Sequence, residues 1–187
     1  MKALVLIAFF IAPVAGLRAE PAGSLSGSDS AILIAVLSHF EKAKESNEFN
    51  PPGAIGVAAQ TVALNPVLIG SEEMKGPPNL QPPVPPSALS DYLKRNSVSY
   101  RVSLPSPAGD AFPVETPSRE LCRVDPSRSP GVRTCAFFRV PGYSSDGAWA
   151  FVTFNFMWAI HSATGVYLLK QESGQWVVVA TKFRHYV

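Results

Sequence analysis

The sequence predicts an α+β domain in which one long N-terminal helix packs on a curved antiparallel β-sheet of five to six strands. Three features carry that expectation. Ile32, Leu33, Val36, Leu37 and Phe40 recur at three- and four-residue steps, with Glu41, Lys42, Lys44 and Glu45 largely on the other side. Val98, Tyr100, Val102 and Leu104 alternate with Ser97, Ser99, Arg101 and Ser103, the two-residue period of a half-buried strand. From Cys135 onward, apolar runs separated by turn residues have the pattern of a four-stranded antiparallel meander.

In chain order, residues 3–17 (ALVLIAFFIAPVAGL) carry no charged side chain and follow Lys2. The stretch is shorter than the roughly 20 residues a membrane anchor needs and fits the apolar core of a secretory signal. Residues 1–19 are therefore read as a signal peptide cleaved after Ala19, with Gly16 as the alternative, and 20–28 as a flexible linker. Residues 29–187 are read as one domain. Its helix is capped by Ser28, Asp29 or Ser30 and ends near Asn47. Residues 54–64 read as a strand of small residues. Residues 65–86 hold seven prolines and read as an extended, polyproline-like surface connection, a spacer rather than a peptide ligand.

Ser87 then caps a short helix over 88–96, ahead of the alternating strand at 97–104. Residues 105–130 read as loop, with a short edge strand at 112–114. The meander comprises 135–140, 148–160, 166–171 and 176–186. His161 to Gly165 form a turn, and Glu172-Ser173-Gly174-Gln175 form a hairpin with Gly174 in the left-handed region. In the long strand, apolar residues occupy both faces, so both should be at least partly covered, one of them by the first helix.

Lys2 and Arg18 account for the whole formal charge of +2. Without the signal the chain is neutral, which disfavours nucleic-acid binding, since that needs a basic surplus. The neutrality hides a polarity. Residues 20–93 hold eight acids against three lysines, and 94–187 hold eleven bases against six acids. The simplest explanation is that the two halves fold against one another. Cys122 and Cys135 are an even, closely spaced pair, which in an exported protein is most simply a disulfide, with free thiols as the alternative. Such a closure contributes about 3 kcal/mol through the unfolded state. Two thiolates without a nearby histidine leave a zinc tetrahedron half empty.

Arg139-Val140-Pro141-Gly142-Tyr143-Ser144, then 148–154, then Gly165-Val166-Tyr167-Leu168-Leu169-Lys170, then Gly174-Gln175-Trp176-Val177-Val178 follow one another in order. The arrangement resembles a C-terminal module of uncharacterised exported bacterial proteins, in which a G-[FY]-S turn, an LLK strand and a G-x-W-x-V hairpin succeed one another. About a third of the chain takes part, and the 160–165 turn departs from the pattern. The resemblance implies no catalytic residues, because none are established for the module. At fold level it implies a cone-shaped α+β architecture of the NTF2-like or cystatin-like kind, which carries no function by itself.

No nucleophile elbow, phosphate-binding glycine loop, zinc-protease helix or calcium loop is present, and no cofactor or metal site is expected. His39 lies beside the apolar face of the first helix and reads as structural. His161-Ser162 beside a strand end is a weak nucleophile–base pair, because sequence neighbours seldom meet the required geometry. Arg119, Arg123, Arg128, Arg133 and Arg139 cluster in and around the cysteine loop, against Glu120 and Asp125. That set suggests a contact surface, since arginine's planar fork suits carboxylate or phosphate partners and protein interfaces, such as one with another exported protein; the alternative is a solvated loop facing the acidic half.

The expected function is an exported, periplasmic or secreted, non-catalytic interaction protein, such as an inhibitor or immunity-type partner, with no membrane contact beyond the signal. The competing class is a small-molecule-binding or enzymatic cone that uses the concave face between helix and sheet, with Tyr100, Asn155 and His161 beside its pocket.

Overall fold

A computed structural model describes residues 21–44, 53–64, 80–115, 131–158 and 161–186. The expected signal peptide, most of the proline-rich connection, and Arg119, Cys122, Arg123 and Arg128 lie outside them. Within them the chain forms helices α1 (Gly27–Lys44), α2 (Pro86–Arg95) and α3 (Ala108–Ala111), and strands β1 (Ala54–Ala58), β2 (Val114–Glu115), β3 (Val132–Phe138), β4 (Gly142–Tyr143), β5 (Trp149–Trp158), β6 (His161–Glu172) and β7 (Gln175–Tyr186).

The fold is α+β, built on an open seven-stranded sheet of order β2-β1-β3-β5-β6-β7, with β4 paired to β5. The sheet is mixed rather than antiparallel. β1 runs parallel to both β2 and β3, while β3, β5, β6 and β7 form the antiparallel meander. The parallel edge arises because the long connections after β1 return the chain to the same end of the sheet before β2 and β3 begin.

α1 opens one residue before the three candidate caps. Ser26 Oγ accepts from Asp29 N–H (3.1 Å) and Asp29 Oδ2 accepts from Ser26 N–H (3.0 Å), a reciprocal capping box. Its face of Ile32, Leu33, Val36, Leu37 and Phe40 joins one core with Ile55, Val57, Phe138, Val152, Phe154, Phe156 and Tyr167. Phe40 stacks on Phe156 at 3.8 Å. Because successive strand residues point to opposite faces, this assigns one whole face of the sheet to α1.

The opposite face carries Cys135, Phe137, Phe151, Met157 and Val166, which the described residues cover in two patches. Ala58 and Val62 pack on Cys135, Phe137 and Met157. α2 and Leu64 pack on Phe151 and Val166. β4 runs close under α2, and a Cβ at Gly142 would fall on the backbone of Tyr92 and Ala88.

The alternating segment at 97–104 is not a strand. It makes isolated bridges at Arg101 to Ser24 and Gln60, and its backbone bonds go to the irregular stretches 22–25 and 59–61. Its neighbours on both sides are themselves irregular, so no ladder propagates. Val102 and Leu104 are buried as the alternation implies, whereas Val98 is 41% exposed.

The strand expected over 54–64 stops at Ala58. Beyond it, amides at 59–64 bond to Glu115, Tyr100, Phe138 and Asn96 in turn, with no single partner strand. The edge strand lies at Val114–Glu115. No turn forms at 161–165, because β6 begins at His161, paired with Trp158. Gly165 sits opposite Phe154, whose ring fills the space that a Cβ would take. The final hairpin forms as expected, with Ser173 and Gly174 both at positive φ (49° and 81°).

Candidate pocket on the sheet face away from α1

Between the two covered patches lies a pocket of about 300 Å³. Val62, Phe137 and Met157 form its apolar wall, and Arg139, Thr153, Asn155 and Thr164 supply polar groups. Register brings them together. Phe137 pairs with Asn155, Asn155 with Thr164, and Arg139 N–H donates to the Thr153 carbonyl at 3.1 Å. Arg139 is thus one step diagonal from Asn155 on the same face, a separation of about 7–8 Å between backbones.

Two atoms of this group lack partners. Nη1 of Arg139 and Oδ1 of Asn155 are screened from water and make no hydrogen bond. A buried polar group left unmet costs about 1–3 kcal/mol, so two beside one cavity call for an account. The backbone at Arg139 is held from both sides. Its own amide is tied to Thr153, and the next residue, Val140, is clamped by Asn96. Asn96 is fully buried at the end of α2. Its Oδ1 accepts from Val140 N–H (2.7 Å), and its Nδ2 donates to the carbonyls of Val140 (2.7 Å) and Tyr92 (2.8 Å).

Tyr92 flanks the same region, its hydroxyl 2.6 Å from Thr153 Oγ1. Burial pushes its phenol up to about 12, against the opposing pull of the Arg139 charge and the Thr153 bond, so it stays protonated at neutral pH. Among the described lining residues Arg139 alone is ionisable, and a guanidinium is not a base near neutral pH.

The residues singled out in the sequence divide accordingly. Asn155 lines the pocket, and so does Arg139, which the sequence had placed on a contact loop. Tyr100 does not; it lies on the irregular 97–104 segment, with its N–H bonded to Thr61 Oγ1 at 2.8 Å. His161 does not either, its ring 6.2 Å from Trp158 at the start of β6. His161 and Ser162 are consecutive strand residues and face opposite ways, so they form no nucleophile–base pair. The space between α1 and the sheet is filled by core side chains, and the pocket lies on the other face.

Arg133 is exposed on β3. Cys135 is fully buried against Ala58 and Phe137 and is not a free thiol. His39 is half-buried, its ring edge-on to Tyr167 at 5.5 Å, and burial, then Lys42, lowers its pKa.

A second polar cluster was not legible in the sequence. The Arg95 guanidinium donates twice to the Asp29 carboxylate (2.9 and 2.9 Å) and also to the Pro141 carbonyl. The Tyr143 hydroxyl donates to Asp29 Oδ1 at 2.8 Å. Burial alone would raise the Asp29 pKa, but the bonds from Arg95, Ser26 and Tyr143 outweigh it and hold the carboxyl below its ordinary value. Both carboxylate oxygens are engaged, and the cluster ties α1, α2 and β4 together.

Among the described residues no three His, Cys, Asp or Glu side chains gather as a metal site, and no helix is long and apolar enough to cross a membrane. Comparison with family models, curated proteins and solved structures returns no match.

Proposed function

We propose that the chain is an exported, non-catalytic binding protein whose ligand site is the pocket bounded by Val62, β3, β5 and β6. The observation that carries the reading is the pair of unmet polar atoms, Arg139 Nη1 and Asn155 Oδ1, on side chains that line one cavity. Unpaired buried groups lower stability, and a ligand that satisfies them recovers the loss. The absence of a titratable base among the described lining residues favours binding over catalysis. The apolar N-terminal segment and the spacing of Cys122 and Cys135 support export and a disulfide between them. The resemblance to uncharacterised exported bacterial proteins and the cone-like comparison with NTF2-like or cystatin-like domains belong to the same proposal.

Fragment screening by ligand-observed NMR on protein from the exported fraction tests the site, with Thr164→Phe as a filled-pocket control. Fragments that bind the wild type and are lost in the variant are expected. No binders, or binders that ignore Thr164→Phe, overturn the reading.

A second reading, docking of another exported protein on the arginine segment, is favoured by the exposure of Arg133. It predicts one stoichiometric partner in a pull-down, lost on Arg128→Glu with Arg133→Glu. A pull-down without a partner counts against it.

A further inference from the structure

Resting on the pocket reading, we infer that the ligand is a small monocarboxylate bearing a hydrogen-bond donor beside the carboxylate and a short alkyl group. Each part of that description answers a feature of the pocket. The guanidinium of Arg139 is a planar, always-charged donor whose Nη1 is unmet, and a carboxylate oxygen is a strong, charge-assisted acceptor for it.

Asn155 Oδ1 is an unmet acceptor one diagonal step away, so the ligand must bring an N–H or O–H close to its carboxylate. Phe137, Met157 and Val62 offer no hydrogen-bonding side chain and receive the alkyl part. One cation among the described lining residues suits a monoanion better than a phosphate, which calls for several donors and more positive charge. A cavity of about 300 Å³ lies at the small end of ligand sites. The chemistry is shared by a free 2-hydroxy or 2-amino acid and by the end of a peptide chain, where the last amide supplies the donor.

Titration calorimetry on the protein from the exported fraction tests this with four probes, the first three of similar size and the fourth a longer peptide end. They are 2-hydroxy-3-methylbutanoate, its neutral amide, 3-methylbutanoate, and the capped dipeptide N-acetyl-glycyl-valine. The hydroxy acid is expected to bind about tenfold or more tightly than the amide, the margin of a charge-assisted hydrogen bond. Removing the hydroxyl should weaken it about fivefold, the margin of a neutral one. Arg139→Gln should erase the preference for acid over amide, Arg139→Lys should keep part of it, and Asn155→Ala should erase the preference for the hydroxyl.

Whether the hydroxy acid or the dipeptide binds more tightly assigns the source, and either result supports the inference. Equal binding of amide and acid with no response to Arg139→Gln overturns it, even though fragments continue to occupy the pocket. If Thr164→Phe displaces no fragment, the pocket reading fails instead, so the two failures are distinguishable.

Discussion

Arg95→Met removes the guanidinium that faces the Asp29 carboxylate while keeping a side chain of similar length. Asp29 is 1% exposed and the Arg95 side chain 24% exposed. The substitution deletes two hydrogen bonds of 2.9 Å to the carboxylate and leaves it with Ser26 N–H (3.0 Å), Ser26 Oγ (2.7 Å) and the Tyr143 hydroxyl (2.8 Å). Breaking a buried ion pair from one side costs about 3–5 kcal/mol. Three surviving donors and the partial exposure of Arg95 place this case at the low end, about 3 kcal/mol at pH 7. For a chain of this length that is about 6–12 °C in Tm.

The pH dependence is the sharper test. In the wild type the Asp29 pKa lies below its ordinary value. Its contribution is therefore present above about pH 4 and lost as pH falls through the lowered value. Without Arg95, the largest of the bonds that oppose burial is gone and the folded-state pKa moves up. The variant then gains less stability than the wild type as pH rises through that range. The gap between the two proteins is widest near neutrality and narrows toward about pH 3. Urea denaturation at both pH values measures it. A gap under about 1 kcal/mol at pH 7, or one of equal size at both pH values, would refute the buried-pair reasoning.

Three further substitutions test the scaffold and one tests the site. Asn96→Ala strands the Val140 amide and carbonyl and should cost about 3 kcal/mol by urea denaturation. Gly142→Ala pushes a methyl group into the backbone of α2 and should cost about 1–3 kcal/mol by the same assay. His39, its pKa lowered from 6.5, leaves stability full above that value and declining as pH falls through it. His39→Phe should flatten that decline between about pH 7.5 and 5.5 in thermal melts. Arg139→Met relieves the unmet guanidinium and should leave the ligand-free Tm unchanged or higher while abolishing carboxylate binding; a drop of several degrees would show that Arg139 is structural.

Elements with strong local periodicity were legible. The spacing of Ile32 to Phe40 marks the face that α1 buries, and Ser173-Gly174 marks the last hairpin. The segment at 97–104 has a strand's alternation but no strand beside it, and pairing is a tertiary property that alternation does not encode. The parallel pairing of β1 with β3 is hidden for the same reason, since it depends on where a long connection returns. Asn155 was legible as a polar residue among aromatics on a long strand. Arg139 was visible only as one arginine of five, because its environment comes from Asn96 and Thr153, 43 residues before it and 14 after it in the chain. The Asp29–Arg95 pair spans 66 residues and has no local trace.

Among the described residues, the second face of the sheet is covered at two ends and not in the middle, and the pocket lies between them. At one end Val62 reaches Phe137 and Met157; at the other α2 covers Phe151 and Val166. Had the intervening positions been apolar, the two patches would have merged into one core, as the residues under α1 have done. Instead β5 and β6 place Thr153, Asn155 and Thr164 there, and the chain leaving β3 adds Arg139. Asn96 uses its buried side-chain amide to fix the backbone next to that arginine. A clamp of this kind fixes the backbone from which the Arg139 side chain leaves and sets the side of the sheet on which it lies.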